Sequence, residues 1–352
     1  MVKAILTLLG RPAIALAFLL LVVGCNENST TQKLSGSIFG TSWNLTYLDA
    51  PAGVTRDQVE AAVVGAFAVV DDSMNNYRPD STISRLNALD AMNVFEVDWD
   101  FVLVFNTAFD IYAATDGAYD PSVSPLVNLW GFGPKAVINR PSREAIDALA
   151  PIVGLEEFAW DLSTRAFVKK HAKSELDFSS IAKGYAVDLA SDALMDLGVT
   201  NFMLEVGGEI QTRGMSPRGD RWRLAIEDPV AGAAGGVYTA ISVTDVGVAT
   251  SGDYRNFFVE NGVRYSHLID PRTSQPIEHD LVSVTVVHPS TMIADAWATA
   301  LMVVGTEEAL RLADIYDLGV LLISREGQQL VSSNNELMSE WLMASDKEGG
   351  TL

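Results

Sequence analysis

Apolar residues recur at helical spacing in three long segments of the chain. The first segment begins after Thr55, a favourable N-cap residue, and its apolar stripe comprises Val59, Ala62, Val63, Ala66, Phe67 and Val70. The same spacing occurs over residues 101–112, after Asp98, and over residues 182–197, before Gly198. Because glycine is common immediately after a helix, the pattern predicts three amphipathic helices with these bounds.

Outside these segments, short apolar runs are separated by glycine, proline and aspartate, a pattern typical of strands. The predicted strands are Ser42–Leu48, Arg221–Ile226, Tyr238–Val243, Tyr254–Val259, Arg264–Ile269, Ser283–Val287 and Val320–Ser324. Two more helices are predicted over Ala294–Val304 and Glu307–Tyr316, whereas Gly117–Pro134 is too rich in glycine and proline to be regular throughout. Helices and strands do not alternate as βαβ units, so the predicted fold class is α+β.

The N-terminus has the composition of an export signal. Lys3 and Arg11 are its only charged residues, an apolar stretch follows over residues 13–23, and Cys25 is the only cysteine in the chain. The stretch is short for a membrane span, which favours a cleaved signal peptide. Cys25 lies where a bacterial lipobox has its lipidated residue. An ordinary signal peptide followed by a chance cysteine is the alternative.

These features divide the chain into four parts. We predict a lipoprotein signal peptide over residues 1–24, a flexible polar tether over 25–38, one folded domain over 39–345 and a disordered tail over 346–352. Lipidation at Cys25 would hold the folded domain on a membrane, facing the periplasm of a bacterial envelope. We expect the inner membrane, with the outer membrane as the alternative.

The charge of the chain limits its partners. Its 352 residues carry a formal net charge of −21, the sequence pI is about 4.4, and no run of lysine or arginine interrupts this acidity. Nucleic acid is therefore not an expected partner, since its binding depends on clustered basic residues. An anionic small molecule would have to be bound locally, by a metal ion, backbone N–H groups and one or two cationic side chains.

Two oxygen-bearing residues interrupt an otherwise apolar predicted helix near the C-terminus. Asp295 and Thr299 are four residues apart, so their side chains point to the same side of that helix. Carboxylate and hydroxyl oxygens suit Mg²⁺, and a buried carboxylate is unfavourable without a partner. The alternative is that Asp295 caps the helix and Thr299 bonds to a backbone carbonyl.

Three other residues are candidates for ligand binding or catalysis. Lys183 follows two serines at the start of a predicted helix, where phosphate binds well, although an exposed lysine is the simpler explanation. His267, at the end of a predicted strand, could accept a proton near neutral pH or be structural. Tyr77, alone in a polar loop, could stack on a base or cover the core.

Eight short segments, in their order along the chain, resemble one known family. They are Gly40–Trp43, Tyr77–Asn87, Gly117–Gly133, Asp177 with Lys183–Tyr185, Val206–Glu209, Thr250–Asn256, Ser266–Pro271, and Ala294–Ala296 with Thr299–Leu301. In sequence and order these segments resemble the FAD:protein FMN transferase family, also called the ApbE family of bacterial lipoproteins. The similarity extends from about residue 40 to about residue 305.

The resemblance implies an α+β fold that holds FAD between two lobes, and it implies roles for individual residues. The residues implied to bind FAD are Phe39, Tyr77, Ala118, Tyr119, Asp120, Asp177, Lys183, His267 and Leu268, with Tyr77 near the adenine end and residues 118–120 beside the flavin nucleotide. Mg²⁺ would be held by the backbone carbonyl of Ser180 and the side chains of Asp295 and Thr299. Relatives often carry glycine in place of Ser179 or Ser180, a carboxylate in place of Ala298 and methionine in place of Phe39.

The implied activity is Mg²⁺-dependent transfer of FMN from FAD to a serine or threonine hydroxyl of an acceptor protein, with release of AMP. His267 and Asp295 are the predicted catalytic residues: we expect His267 to receive the hydroxyl proton, with a nearby aspartate as the alternative. The implied acceptors are subunits of sodium-pumping NADH:quinone reductases or Rnf-type complexes. A Mg²⁺-dependent FAD pyrophosphatase and a non-catalytic FAD-binding lipoprotein are the competing functions.

Overall fold

The computed structural model describes residues 30–133, 140–230, 236–254, 257–260 and 263–343. Its helices are α1 (Arg56–Met74), α2 (Thr82–Asn87), α3 (Trp99–Ala114), α4 (Ser124–Leu129), α5 (Arg143–Leu149), α6 (Ala182–Asp196), α7 (Thr291–Val304), α8 (Thr306–Ile315) and α9 (Glu336–Ser339). Within these ranges, no helix combines the length and the apolar character that crossing a bilayer requires. The predicted signal peptide, Cys25 and the predicted tail lie outside the described residues.

The strands of the described residues form one large sheet and several small ones. They are β1 (Thr31–Ile38), β2 (Thr41–Leu48), β3 (Val94–Glu96), β4 (Phe158–Asp161), β5 (Ala166–Lys169), β6 (Asn201–Val206), β7 (Glu209–Arg213), β8 (Trp222–Glu227), β9 (Val237–Val243), β10 (Gly247–Gly252), β11 (Phe257–Glu260), β12 (Val263–Ser266), β13 (Ile269–Asp270), β14 (Gln275–Pro276), β15 (Leu281–His288), β16 (Gly319–Glu326) and β17 (Gln329–Asn334). The large sheet has the order β1-β2-β6-β7-β10-β15-β16-β17, and each neighbouring pair is antiparallel. Helices and an antiparallel sheet together confirm the α+β prediction.

Both faces of the large sheet are covered. Helices α1, α6 and α7 pack on one face in the main apolar core, and the β8–β9 hairpin packs on the other through a smaller core. β15, in the middle of the sheet, is buried at seven of its eight positions. Burial on both faces accounts for its continuous apolar sequence.

The predicted helices form for the reasons that their sequences indicate. Thr55 caps α1 in a reciprocal capping box with Gln58, and Asp98 caps α3 by accepting a hydrogen bond from the backbone N–H of Phe101 at 2.7 Å. Gly198 follows the end of α6 in the left-handed region, with φ of 79°. The apolar stripe of α1 faces the main core.

Two sequence predictions were wrong about element boundaries. The polar segment predicted as a tether over 25–38 contains strand β1, which pairs with β2 along its whole length and buries Leu34. The strand predicted over Arg264–Ile269 is two strands, β12 and β13, and the chain breaks between them at His267. The first error arose because β1 is an edge strand whose alternate positions face solvent, so its sequence is mostly polar.

Helices α6 and α7 cross at very short distance. Gly184 lies at the crossing, where an added Cβ would clash with the carbonyl oxygen of Thr291 and would lie 2.8 Å from Asp295 Cβ. Asp188, one turn further along α6, accepts hydrogen bonds from the backbone N–H groups of Thr291 and Met292 at 2.8 and 3.0 Å. The start of α7 is therefore fixed against α6 by packing and by a half-buried carboxylate.

We predict that Gly184→Ala destabilises the protein, because the new methyl group must push the two helices apart. The expected loss is about 1–3 kcal/mol of unfolding free energy, as for overpacking in a close-packed core. Gly65→Ala is the matched control, since a Cβ at that position of α1 meets no atom within 4 Å. The control should gain about 0.5–1 kcal/mol. Chemical denaturation measures both, and equal effects would contradict the close crossing.

Candidate active site

Two cavities lie beside the N-terminal end of α6 and share one residue, Ser179. The larger cavity has a volume of about 510 Å³ and is lined by Phe39, Gly40, Val70, Met74, Asn75, Asn76, Tyr77, Ser179, Ala182 and Lys183. The smaller cavity, of about 250 Å³, is lined by residues that include Ala118, Tyr119, Asp120, Asp177, Ser180, His267, Leu268 and Thr299. The two cavities are therefore adjacent at Ser179.

Two aromatic rings line the larger cavity from different elements. Phe39 belongs to the two-residue turn between β1 and β2, where its φ of 51° places it in the left-handed region. Its ring contacts Phe67 of α1 at a centroid distance of 6.2 Å. The Tyr77 residue is 76% exposed, so it does not cover the core and presents an aromatic surface to the cavity.

The smaller cavity is built by the chain that leaves α3. Gly117, with φ of 76°, turns the backbone so that Ala118, Tyr119 and Asp120 follow as buried cavity residues. Asp120 Oδ1 accepts hydrogen bonds from the backbone N–H and the hydroxyl of Ser122, at 2.8 and 2.6 Å. Burial nevertheless raises the pKa of Asp120 to about 6, because the charged form loses its hydration.

His267 and Leu268 also line the smaller cavity, and they lie in the break between β12 and β13. The backbone N–H of Leu268 donates to the hydroxyl of Ser266 at 3.1 Å, and its carbonyl accepts from Ile277 at 3.0 Å. The rings of His267 and Phe132 pack in a T-shaped arrangement at a centroid distance of 6.3 Å. The break in the strand thus directs a histidine to the cavity wall.

A tight turn before α6 joins the two cavities. Asp177 Oδ1 accepts hydrogen bonds from the backbone N–H of Ser179, at 2.8 Å, and from its hydroxyl. The Ser180 hydroxyl donates to Tyr119 Oη at 3.0 Å. This turn places the serines, and then Lys183 in the first turn of α6, at the boundary between the two cavities, which we call the junction.

Helix α7 brings Asp295 and Thr299 to the same region. Asp295 is 4% exposed, and its Oδ2 accepts a hydrogen bond from the backbone N–H of Gly184 at 3.0 Å. Burial raises the pKa of Asp295, and Lys183 together with the Gly184 N–H opposes that rise. The Thr299 hydroxyl is 3.0 Å from the hydroxyl of Ser251 and lines the smaller cavity.

Lys183 pairs with a carboxylate from the sheet. Its Nζ is 2.6 Å from Oε1 of Glu209, the first residue of β7. Glu209 is 3% exposed. Burial, and next the negative charge of Asp295, raise the pKa of Glu209, while Lys183 lowers it.

The structure decides several alternatives that the sequence leaves open. Asp295 does not cap α7, since the side chain of Ser290 does so. Lys183 is not merely an exposed lysine, because it forms an ion pair with a buried glutamate. Every predicted site residue in the described part of the chain except Asp295 lines one of the two cavities. Asp295 lies behind the junction, where its carboxylate accepts a hydrogen bond from the Gly184 N–H.

Two residues of the site had no predicted role. Glu209 follows Gly207–Gly208, and two consecutive glycines are typical of a two-residue hairpin turn. An acidic residue directly after such a turn was a detectable signal. Ser251 gave no such signal, since its contact with Thr299 depends on the packing of β10 against α7.

The donor set around the junction fits a hard divalent cation. A buried carboxylate and a hydroxyl one helical turn apart on α7, together with the nearby Ser180 backbone, offer the oxygen ligands that Mg²⁺ prefers. Among the described residues, no group of three or more His, Cys, Asp or Glu side chains is arranged around a common point for a metal ion. Such a cation would therefore need ligand oxygens from the backbone or from the substrate as well.

The fold and the site define the class of protein: an enzyme with a two-part nucleotide site, in which two cavities meet at Ser179, near Lys183 and the hydroxyl of Thr299. The model of the ApbE family matches residues 39–322. The FAD:protein FMN transferase of Vibrio cholerae is 40% identical over 313 residues, 88% of this chain and 92% of that protein. The protein of the same name from Haemophilus influenzae is 36% identical over 92% of this chain and 94% of its own length.

Solved structures agree with this assignment. The flavin transferase ApbE from Vibrio cholerae superposes with a TM-score of 0.82, at 36% identity, covering 89% of this chain and 100% of that one. The apo form of the Pseudomonas stutzeri flavinyl transferase ApbE gives 0.81, also at 36% identity, covering 89% and 96%. The chain belongs to the ApbE family.

We predict that Asp120 makes stability depend on pH in the acidic range. Its pKa is about 6 in the folded protein and about 4 in an unfolded chain, so the folded state binds the proton more tightly. The contribution of this residue to stability therefore falls as pH rises from about 4 to about 6, by at most about 3 kcal/mol. Asp120→Asn should remove this fall, so its stability relative to wild type rises over that interval. Urea unfolding from pH 4 to pH 7 measures the difference, and a constant difference would contradict the prediction.

Proposed function

We propose that the protein transfers FMN from FAD to a serine or threonine hydroxyl of an acceptor protein and releases AMP. One observation carries the proposal: two cavities meet at Ser179, beside Lys183 and the oxygen-bearing residues of α7. A dinucleotide has a matching shape, because two flat ring systems are joined by a charged diphosphate at its centre. Family membership and the names of the relatives support the same reaction.

In this proposal the larger cavity takes the adenosine part of FAD and the smaller cavity takes the flavin nucleotide. Tyr77 and Phe39 supply aromatic surface for the adenine, and residues 118–120 with Leu268 enclose the flavin nucleotide. Lys183 and the backbone N–H groups at the start of α6 lie at the junction, where the diphosphate would pass. Asp177 holds the turn that shapes this junction.

Mg²⁺ is the proposed metal, held by the side chains of Asp295 and Thr299 and by the Ser180 carbonyl. When bound, it supplies positive charge that stabilises the negative charge developing on the leaving AMP. The residues of this chain perform the remaining tasks. Gly184 orients Asp295 through its N–H, and Ser251 orients the hydroxyl of Thr299.

The proposed reaction is an in-line displacement at the FMN phosphorus. The acceptor oxygen forms the new P–O bond, the P–O bond to AMP breaks, and AMP leaves with the bridging oxygen. His267, on the wall of the smaller cavity, receives the proton of the acceptor hydroxyl. Asp120 and Asp177 line the same cavity and are the alternative proton acceptors.

The setting of the reaction is also a proposal. A lipid on Cys25 would anchor the enzyme to a bacterial membrane with its folded domain in the periplasm, as the apolar segment 13–23 and the lipobox position suggest. The acceptors would be subunits of sodium-pumping NADH:quinone reductase or Rnf-type complexes. The acidity of the enzyme is compatible with a protein acceptor, because a protein, unlike a nucleic acid, has no negatively charged phosphate backbone.

We predict that Asp295→Asn abolishes transfer while the fold is retained. Incubation with FAD, Mg²⁺ and an acceptor domain, followed by denaturing electrophoresis, detects transfer as flavin fluorescence on the acceptor band. Labelling should fall by more than about 100-fold, because even outer-shell partners of metal ligands are worth about 10–100-fold. Asp110→Asn, an exposed change on α3, is the matched control and should label normally. Wild-type labelling by Asp295→Asn would refute the metal assignment.

The same assay separates the competing functions for the wild-type protein. Fluorescence on the acceptor supports transfer. FMN and AMP released without labelling would show the pyrophosphatase, and intact FAD would show binding alone.

We predict that His267→Ala slows transfer by about 10²- to 10⁴-fold, the usual contribution of a general base, with FAD binding largely kept. Stopped-flow labelling gives the rate, and quenching of flavin fluorescence gives the dissociation constant of FAD. Loss of FAD binding in this variant would instead make His267 a residue that positions the ligand.

A further inference from the structure

A buried glutamate lies directly behind the lysine of the junction. Oε1 of Glu209 is 2.6 Å from Nζ of Lys183, and Glu209 is 3% exposed, while the Lys183 side chain is 30% exposed and lines the larger cavity. The lysine therefore lies between the sheet, which supplies the carboxylate, and the space that a diphosphate would occupy. The ion pair restricts where the ammonium group can point.

The hairpin between β6 and β7 fixes the position of this carboxylate. Gly207 and Gly208 have φ of 61° and 111°, which allows a two-residue turn and returns the chain to the sheet at Glu209. A Cβ on Gly207 would lie 2.8 Å from the Thr41 side chain, so the turn also packs closely against β2. The position of Glu209 is therefore fixed by backbone geometry.

The same face of β7 supports both helices of the site. Glu209 and Gln211 are two residues apart on β7, so their side chains lie on the same face of the sheet. Gln211 Oε1 accepts a hydrogen bond from the Thr291 hydroxyl at the start of α7, at 2.5 Å. Glu209 contacts α6 through Lys183, and Gln211 contacts α7 through Thr291. A single strand therefore positions both helices relative to the sheet.

A purely structural role does not account for this charge. A buried ion pair is weak support for stability, and an apolar pair of similar volume often serves as well or better. Oε2 of Glu209 is buried without a hydrogen-bond partner among the described residues, which adds a further cost. A second carboxylate, Asp295, is close enough to disfavour the charge of Glu209.

We propose that Glu209 is a positioning residue that holds the Lys183 ammonium at the junction, where it contacts the diphosphate of FAD. The inference rests on the proposed function for the identity of the ligand. It assigns Glu209 no contact with FAD, so the effect of Glu209 on FAD binding passes through Lys183. A residue acting in this way has no effect once its target is removed.

A double-mutant cycle tests this dependence. The variants are Glu209→Gln, Lys183→Ala and the double variant, with the dissociation constant of FAD measured by fluorescence quenching in the absence of Mg²⁺ and acceptor. Glu209→Gln keeps the shape of the side chain and should weaken FAD binding by about 5- to 10-fold, with Lys183→Ala weakening it more. The double variant should bind FAD as Lys183→Ala does.

The matched control is Glu205→Gln, on the other strand of the same hairpin. Glu205 accepts hydrogen bonds from the Gly208 N–H at 2.9 Å and the Asn44 side chain at 2.8 Å and lines neither cavity. This variant should bind FAD as the wild type does. A change equal to that of Glu209→Gln would overturn the proposal, because it would come from the hairpin rather than from the lysine.

Two other results would overturn the proposal: unchanged FAD binding in Glu209→Gln, or a loss that adds fully to that of Lys183→Ala. Should Glu209→Gln fail to fold, Glu209→Asp replaces it in the cycle, since it keeps the charge but withdraws it by one methylene, and the same pattern is expected. The cycle measures binding alone. A failure of the transfer assay with an intact cycle would therefore contradict the proposed reaction and leave the positioning role standing.

Discussion

The close crossing of α6 and α7 at Gly184 is the constraint on which the site depends. Only a residue without a side chain allows α7 to approach until the Gly184 N–H reaches Asp295. Lys183 precedes this glycine, so the approach that orients the carboxylate also sets the distance to the lysine. Asp188 holds the start of α7 from the same helix, which prevents the crossing from sliding. One contact thus determines the relative positions of groups that are more than a hundred residues apart in sequence.

The electrostatics of the site follow from this arrangement. Asp295 and Glu209 are both buried carboxyls, and the positive charge of Lys183 lowers the pKa of each. In a strongly acidic protein, such a site does not attract an anionic dinucleotide by itself. A divalent cation would balance the carboxylates and the phosphates together, which explains why oxygen ligands and a lysine occur side by side in the proposed transferase. Local charge, and not the net charge of the chain, therefore decides what the protein binds.

The sequence predicted the parts of the fold in which the local pattern and the tertiary environment agree. Helix α1 was predicted from its cap at Thr55 and its apolar stripe, and both appear in the structure, where Gln58 completes a capping box. Strand β1 was not predicted, because seven of its eight residues are not fully buried and its pairing depends on β2. Strand β10, with the sequence Gly-Val-Ala-Thr-Ser-Gly, was missed because its small residues are there to admit α7: a Cβ on Gly247 would lie 2.6 Å from Thr291 Cα. Such strands form because of the elements that pack against them, and these tertiary contacts cannot be read from the local sequence.

The break between β12 and β13 shows how the same limit applies to chemistry. The pattern of residues 264–269 predicts one strand, and a continuous strand would place His267 and Leu268 on opposite faces. The structure interrupts the strand, so both residues line the smaller cavity. In an in-line displacement the nucleophile arrives opposite the leaving group. With adenosine in the larger cavity, AMP would leave on that side, so an acceptor hydroxyl must approach from the side of the smaller cavity. The interruption of the strand thus places His267, the proposed proton acceptor, on the side from which the proposed reaction requires attack.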